Sequence, residues 1–404
     1  MIVKRQIYYD RIKTFIDKPI IKIITGMRRV GKSYFLKQII SELISSEIDK
    51  SQIIFIDKED IRFDSIQNYK QLNEYIESNY SSINGKKYLF IDEVQEIEQW
   101  EKLIVSLNKS EKYDIYLSGS NAQLLSSELA TLIAGRYIEI NIYPLSFSEF
   151  IEFQGENFVS YQNSFELYIR YGGLPGIFHL EQTDETVFQY LNGIYSSILV
   201  KDIIARYRIR NVSLLEKILN FILDNIGNLL TANNIAKYLK SQKNVIYSDT
   251  IQNYLNYFLK TYIVHKVQRY DIKGKKLLEI NEKYYVNDLG LRHSILQFRN
   301  DDIAQILENI VYMELLVRGY KVNVGNHAGK EIDFIATKQN EKIYIQVSYL
   351  LASEKTIERE FTPLLKIEDN YPKFVLSMDT NIIANDNKGI KRINIIDFLI
   401  DSVR

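Results

Sequence analysis

Apolar runs and amphipathic stretches alternate along the first third of the chain. Continuous hydrophobic segments occupy IKIIT (21–25), IIFID (53–57), YLFID (88–92), IYLSG (115–119) and YIEINI (137–142). Between them, apolar residues recur at helical spacing around 33–45, 66–82, 99–109 and 121–133. Strands apolar on both faces and separated by helices predict a parallel sheet covered on both sides. Tyr143-Pro144 closes this block, and residues 160–206 read as mostly helical, interrupted by the turn YGGLPGI at 171–177.

From Ser213 the pattern changes. Helices are predicted over 213–227, over 231–242 with Thr231 as N-cap, and over 249–262 behind Ser248. The alternating runs IVHKVQRYDI and KLLEINEKYYVN, joined at KGKK, predict a hairpin. Three helices and a β-wing outline a winged helix. The final segment reads as a helix over 301–320, a strand KVNVG, a hairpin over 331–349, a helix over 354–368, and strands KFVLSM and INIIDFLI. The expected domains are therefore 1–155, 156–208, 209–297 and 298–404.

Composition narrows the chemistry. Of the 404 residues, 46% are hydrophobic and 25% charged, ordinary values for a water-soluble chain. Lys+Arg and Asp+Glu both total 51, so attraction to nucleic acid has to come from a local basic patch. With no cysteine there is no disulfide, thiolate nucleophile or Cys-type zinc site, and a reducing cytoplasm is expected. His179, His265, His293 and His327 are scattered without metal-binding spacing. The N-terminal MIVKRQIYYDRIKTF lacks the apolar core of a signal peptide. No run approaches the roughly eighteen apolar residues of a membrane helix, so no membrane partner is expected.

The sharpest motif lies at the end of the first strand. In IIKIITGMRRVGKS, Gly26, Gly31, Lys32 and Ser33 fit G-x-x-x-x-G-K-[ST] between a strand and a helix. Glycines let the backbone close around phosphate oxygens, and its N–H groups with the helix N-terminus form an anion nest. Lys32 then reaches the β- and γ-phosphates and Ser33 ligates Mg²⁺. The expected nucleotide contacts are Gly26, Met27, Arg28, Arg29, Val30, Gly31, Lys32, Ser33 and Tyr34. One of the two arginines is expected to pair with an acid and hold the loop's shape. YLFIDE ends a buried strand in Asp92-Glu93, which makes Asp92 the second metal anchor and Glu93 the residue that polarises water. In SGSN, Ser118 or Ser120 could sense the γ-phosphate, although a turn explains the same letters. Arg136 stands where it could serve as a finger on a neighbouring subunit's phosphates, or simply be solvated.

ITGMRRVGKS, FIDEVQEIEQWE, LSGSN, IAGRY with PLSFSEF, and YGGLP together resemble a large prokaryotic family of AAA+-type ATPases fused to a C-terminal domain of unknown function. The resemblance covers essentially the whole chain. It implies an α/β fold with a P-loop AAA+ core of parallel sheet, then a helical lid, a winged helix and a C-terminal PD-(D/E)XK nuclease-like domain. It also implies Gly26–Ser33 as Walker A, Asp92-Glu93 as Walker B, a sensor within 118–121 and a finger-like Arg136. Gly173-Leu174-Pro175 resembles the G-x-P element that packs near nucleotide in signal-transducing relatives, which places Pro175 among the nucleotide contacts; unaided, GGLPG reads as a turn.

Two segments depart from what such domains need for activity. The third helix of the winged-helix region offers Asp249, Thr250, Gln252, Asn253 and Asn256 but only Lys260 as a cation. Arg269, Lys273, Lys275 and Lys276 form the better basic patch there. In the nuclease-like domain Glu308 and Asp333 stand where metal ligands are expected, but the E-x-K position reads Gln346-Val347-Ser348. Gln lacks the charge and Ser the ammonium, so metal affinity and water activation should both suffer. The expectation is an ATPase using ATP and Mg²⁺, open to homo-oligomerisation and to DNA contact through the winged helix. Its nucleotide state would control the appended domains in DNA-associated, defence or regulatory work. An ATP-dependent DNA nuclease and a nucleotide-gated interaction switch with little turnover are the alternatives.

Overall fold

The computed structural model describes residues 3–121, 133, 135–242, 247–380 and 386–400. The chain divides into two compact units, one of Met1–Ile142 with Lys260–Tyr262 and one of Tyr143–Leu259 with Ile263–Arg404.

The first unit holds five parallel strands, β1 (Ile21–Thr25), β2 (Ile53–Asp57), β3 (Lys87–Asp92), β4 (Tyr113–Gly119) and β5 (Tyr137–Asn141), in the order β2-β3-β4-β1-β5. Every residue of β1, β3 and β4 is buried, as their continuous apolar runs require. Around the sheet lie α1 (Gln6–Ile12), α2 (Lys32–Ser45), α3 (Tyr69–Tyr80) and α4 (Trp100–Lys109). Asn68 starts α3 by accepting from the backbone N–H of Lys70 at 3.0 Å and Gln71 at 3.2 Å. Leu103, Ile104 and Leu107 of α4, with Leu72 and Ile76 of α3, join the apolar core that covers one face. The helix expected around 121–133 falls largely outside the described residues. One polar cluster interrupts this core. Lys22 and Asp114 are fully buried and ion-paired, and Tyr116 Oη and the Asp17 N–H donate to the other Asp114 oxygen at 2.8 and 3.0 Å.

In the second unit nine strands form one mixed sheet: β6 (Leu229–Leu230), β7 (Val264–Asp271), β8 (Lys276–Val286), β9 (Lys321–His327), β10 (Lys330–Lys338), β11 (Glu341–Val347), β12 (Lys373–Ser377), β13 (Asp386–Asn387) and β14 (Ile390–Asn394). Their order is β13-β14-β12-β11-β10-β9-β7-β8-β6. The β7–β8 hairpin pairs in parallel with β9 at Arg269–Val324, so the sheet continues across residue 297. Its helices are α5 (Phe147–Gln154), α6 (Tyr161–Tyr171), α7 (Asp184–Ser197), α8 (Val212–Asp224), α9 (Ala232–Ser241), α10 (Ser248–Lys260), α11 (Leu289–Leu296), α12 (Ile303–Val317), α13 (Glu354–Leu365) and α14 (Ile395–Ile400). Thr231 caps α9 as its position suggests, accepting from Asn234 N–H at 3.1 Å. The tail differs from its sequence reading: INIIDFLI is not one strand. Asn394 Oδ1 accepts from Ile396 N–H at 2.8 Å and starts a helix that buries Ile395, Ile396, Phe398 and Leu399. Apolar positions spaced 3 and 4 apart suit that helix face as well as they suit a strand.

The YGGLPG segment is a packed turn built around a buried carboxylate. Asp288 Oδ2 accepts from Gly173 N–H at 2.7 Å and its Oδ1 from Leu291 N–H at 3.0 Å, capping α11. Gly172 adopts φ +73°, and a Cβ there would fall 2.5 Å from the same carboxylate. Burial pushes the Asp288 carboxyl up to about 6, partly offset by N–H donors from Gly173, Leu291, Gly290 and Leu174. A raised folded pKa means that ionisation disfavours the folded state. That penalty is absent below the ordinary value of 3.8 and complete above about 6. Its full size is on the order of 3 kcal/mol. Asp288→Asn stays neutral, so wild-type stability minus variant stability should fall between pH 4 and pH 7 in denaturant unfolding. A difference independent of pH would contradict the assignment.

Candidate functional site

The C-terminal ends of β1, β3 and β4 converge, the usual position for ligand sites in parallel sheets. β1 runs into the loop 26–31, whose Gly26 and Gly31 take φ +145° and +101°. A Cβ on Gly26 would come within 2.3 Å of the Ile142 carbonyl oxygen, so only glycine lets the loop pass that close to the end of β5. Met27 and Val30 are fully buried and anchor the loop, Ser33 is half-buried, and Arg29 and Tyr34 are exposed. Lys32 opens α2 and is 5% exposed; its Nζ donates to the carbonyls of Gly26 at 3.2 Å and Met27 at 3.1 Å. Arg28 donates to Glu59 at 3.4 Å, so one loop arginine does pair with an acid.

Asp92 and Glu93 complete the cluster. Ser118 Oγ donates to Asp92 Oδ1 and accepts the Glu93 N–H at 3.1 Å, tying β4 to the end of β3. Burial raises the Asp92 pKa, opposed by hydrogen bonds from Ser118 and Ser33. Glu93 adopts φ +53°, a conformation a non-glycine residue holds only when its surroundings enforce it. Its carboxylate lies 3.7 Å from Lys32 Nζ and accepts from Gln95 Nε2. Burial pulls its pKa up, but Lys32, Gln95 and Arg28 outweigh that and hold it below the ordinary value. Glu93 is therefore ionised at neutral pH. The structure thus brings Lys32, Ser33, Asp92, Glu93, Ser118 and Ser120 together. Ser118 carries the contacts with Asp92 and the Glu93 backbone, and the buried Ser120 hydroxyl has no hydrogen-bond partner among the described residues.

Residues 18–151 match the family model of an AAA domain, and residues 162–302 match a domain of unknown function, DUF8612. An uncharacterized protein of Haemophilus influenzae is 36% identical over 401 residues, covering 98% of each chain. The chain belongs to this family of AAA-domain proteins. A further relative, an uncharacterized protein of Methanocaldococcus jannaschii, is 32% identical over 400 residues, covering 93% of this chain and 85% of its own. The Walker-type ATPase of Pyrococcus abyssi matches 73% of this chain and 96% of its own with a TM-score of 0.51 at 17% identity, which shows a common fold.

Within the first unit, one expected residue lies apart from this cluster. Arg136 is exposed, and its carbonyl accepts from Ile21 N–H at the start of β1. A five-residue strand, roughly 16 Å, separates it from the loop of its own chain. Pro175 belongs to the second unit, in the turn that closes on Asp288. Two residues that sequence reasoning passed over complete the AAA domain's loop. Arg5 is 5% exposed, donates from Nη1 to the Val30 carbonyl at 3.2 Å and donates its backbone N–H to Gln38 Oε1 at 2.8 Å. Gln95, which holds Glu93, sits two positions beyond it in DEVQ, a polar residue easily taken for solvent-facing.

Glu308, Asp333 and Gln346 all belong to the second unit, which also buries a lysine not anticipated. Gln346 Oε1 accepts the Asp333 N–H at 3.3 Å, and Asp333 Oδ2 accepts from Val347 N–H at 2.8 Å. Lys283 of β8, almost wholly buried, pairs with Glu308 at 2.8 Å and Glu331 at 2.7 Å, and Tyr285 Oη donates to Glu308 at 2.5 Å. Burial and the Glu308 charge drive the Asp333 carboxyl far above its ordinary value, against the opposing charge of Lys283. Among the described residues no three acidic or histidine groups are arranged to hold a metal. Removing one partner of such a pair leaves uncompensated charge. Lys283→Met should cost about 3 kcal/mol in denaturant unfolding, with Glu308→Gln in the same chain restoring much of it. An unchanged midpoint for Lys283→Met would show that the pair carries no such weight.

Proposed function

We propose that this AAA-domain protein binds ATP with Mg²⁺ at the 26–34 loop and hydrolyses it. The observation that carries the reading is the approach of Lys32 Nζ to the Glu93 carboxylate, 3.7 Å, beside an Asp92 that accepts from Ser118. These groups fit the ligand. An ammonium resting on loop carbonyls can turn to β- and γ-phosphates, and loop N–H groups with the α2 N-terminus complement their charge. Ser33 and Asp92 would hold Mg²⁺, which when bound neutralises phosphate charge. Glu93, ionised at neutral pH, orients and polarises the attacking water, while Ser118 fixes the backbone that aims it. Ser120, whose buried hydroxyl is unengaged among the described residues, is the sensor on the water side. Arg136 is too far from its own loop to reach phosphate, so its finger role belongs to a homo-oligomer in which it serves a neighbour.

The second unit is proposed to respond to the nucleotide, with α8–α10 and the β7–β8 hairpin as a winged helix able to touch DNA. Nuclease action is the weaker reading, because Lys283 already pairs with Glu308, one of the two carboxylates that a metal would need. A switch with slow turnover is favoured by one contact: Gln95 holds the Glu93 carboxylate and must release it before water can be oriented.

Lys32→Ala should abolish nucleotide binding measured by calorimetry. Glu93→Gln should retain ATP binding and lower phosphate release by a factor on the order of 10² or more. Turnover of Glu93→Gln at the wild-type rate would sink the water-polarising assignment. Gln95→Ala should raise turnover if its grip on Glu93 is the brake, and leave it unchanged if it is not.

A further inference from the structure

Helix α10 presents Asp249, Gln252, Asn253 and Asn256 on one exposed face, one helical turn or less apart. Amide side chains can pair bidentately with adenine edges, but this face brings no guanidinium for phosphate. The missing charge lies next to it, on the segment that precedes α8. After α7 the chain winds through a π-helical stretch, Ile198–Ala205, and ends in RYRIR at 206–210. Tyr207 stacks face to face on Tyr257 of α10, ring centroids 3.9 Å apart and planes 13° from parallel. Tyr257 follows Asn256 and lies one turn beyond Asn253, so the stack fixes the arginine segment beside the amide face. Arg206 and Arg208 flank the stacked ring, and Arg208 turns the chain at φ +52°. Arg208, Arg210 and Lys201 are exposed and Arg206 half-buried. Among the described residues none of these four cations takes part in an ion pair. Three such arginines within five residues stand out in a chain with 51 basic and 51 acidic residues. Asp249, the acid on the amide face, sits eight residues from Tyr257, about 12 Å along the helix.

We infer that Arg206, Arg208 and Arg210, locked to α10 by the Tyr207–Tyr257 stack, form the phosphate-contacting edge of a surface for double-stranded DNA. This rests on the reading of α8–α10 as a DNA-contacting module and names the residues that supply its charge. The occupant is B-form DNA rather than duplex RNA, because a helix carrying amides fits the wide major groove of the former and not the deep narrow groove of the latter.

The test is fluorescence anisotropy of the full chain with a labelled mixed-sequence DNA duplex and the matching RNA duplex, across a salt titration. Replacing Arg206, Arg208 and Arg210 together by Ala should weaken DNA binding at least about tenfold and flatten the slope of log affinity against log salt by about 2 to 3. Replacing Lys273, Lys275 and Lys276 of the hairpin turn together by Ala should do less. The triple Arg→Lys chain keeps the charge and should keep the slope; binding as weak as that of the Ala chain would mean lost structure and defeat the inference. Wild-type affinity and slope in the Ala chain, with binding lost in the hairpin variant, would overturn the surface but leave DNA contact intact. No wild-type binding at low salt would overturn both, and equal binding of duplex RNA would overturn the choice of DNA.

Discussion

The parallel register of β1, β3 and β4 is the constraint on which the AAA domain's site depends. Thr25 is level with Gly119 and Ile91 with Leu117, so Gly26, Asp92 and Ser118 emerge side by side at one sheet end. Slipping one strand by a residue would turn its side chains to the opposite face. In a sheet buried on both faces this would be costly for an additional reason: the Lys22–Asp114 pair would be separated inside apolar surroundings. The ion pair therefore acts less as a source of net stability than as a penalty on wrong registers. Phe90 stacked on Tyr116, with planes 7° apart, reinforces the same alignment between β3 and β4.

Once that register is set, the site's electrostatics follow from burial. Asp92 and Glu93 are adjacent acids shielded from water, yet their pKa values are displaced in opposite directions. Asp92 meets neutral hydroxyls, which do not fully offset desolvation. Glu93 meets Lys32, whose charge does. Neighbouring carboxylates thus acquire different chemistry from different neighbours, and the backbone turn at Glu93 is what sends its side chain toward the lysine.

The second unit depends on buried charge too, arranged for a different end. Asp288 accepts a backbone N–H from Gly173, 115 residues away, and Lys283 draws two glutamates into one cluster. Both are interior groups whose partners lie on other elements, so each fastens a helix or turn to the sheet. The same sheet carries the hairpin and the C-terminal strands, which gives the unit one continuous framework.

Much of this was legible in order along the chain. The alternation of apolar strands with helices, the loop between β1 and α2, and Asp92-Glu93 at the end of β3 depend on spacing within a dozen residues, which periodicity and steric rules register directly. The expected pairing of a loop arginine with an acid also emerged, as Arg28 with Glu59. What sequence could not supply were partners across distance. Arg5 under Val30, Lys283 between Glu308 and Glu331, Asp288 inside the GGLP turn and Tyr207 against Tyr257 are joined only after strands and helices pack. The tail INIIDFLI shows the same limit at short range, since its apolar spacing suited strand and helix alike until Asn394 capped the latter. Local pattern determines which elements form; which charges meet is decided by tertiary packing, because desolvation makes a contact matter only when its surroundings are buried.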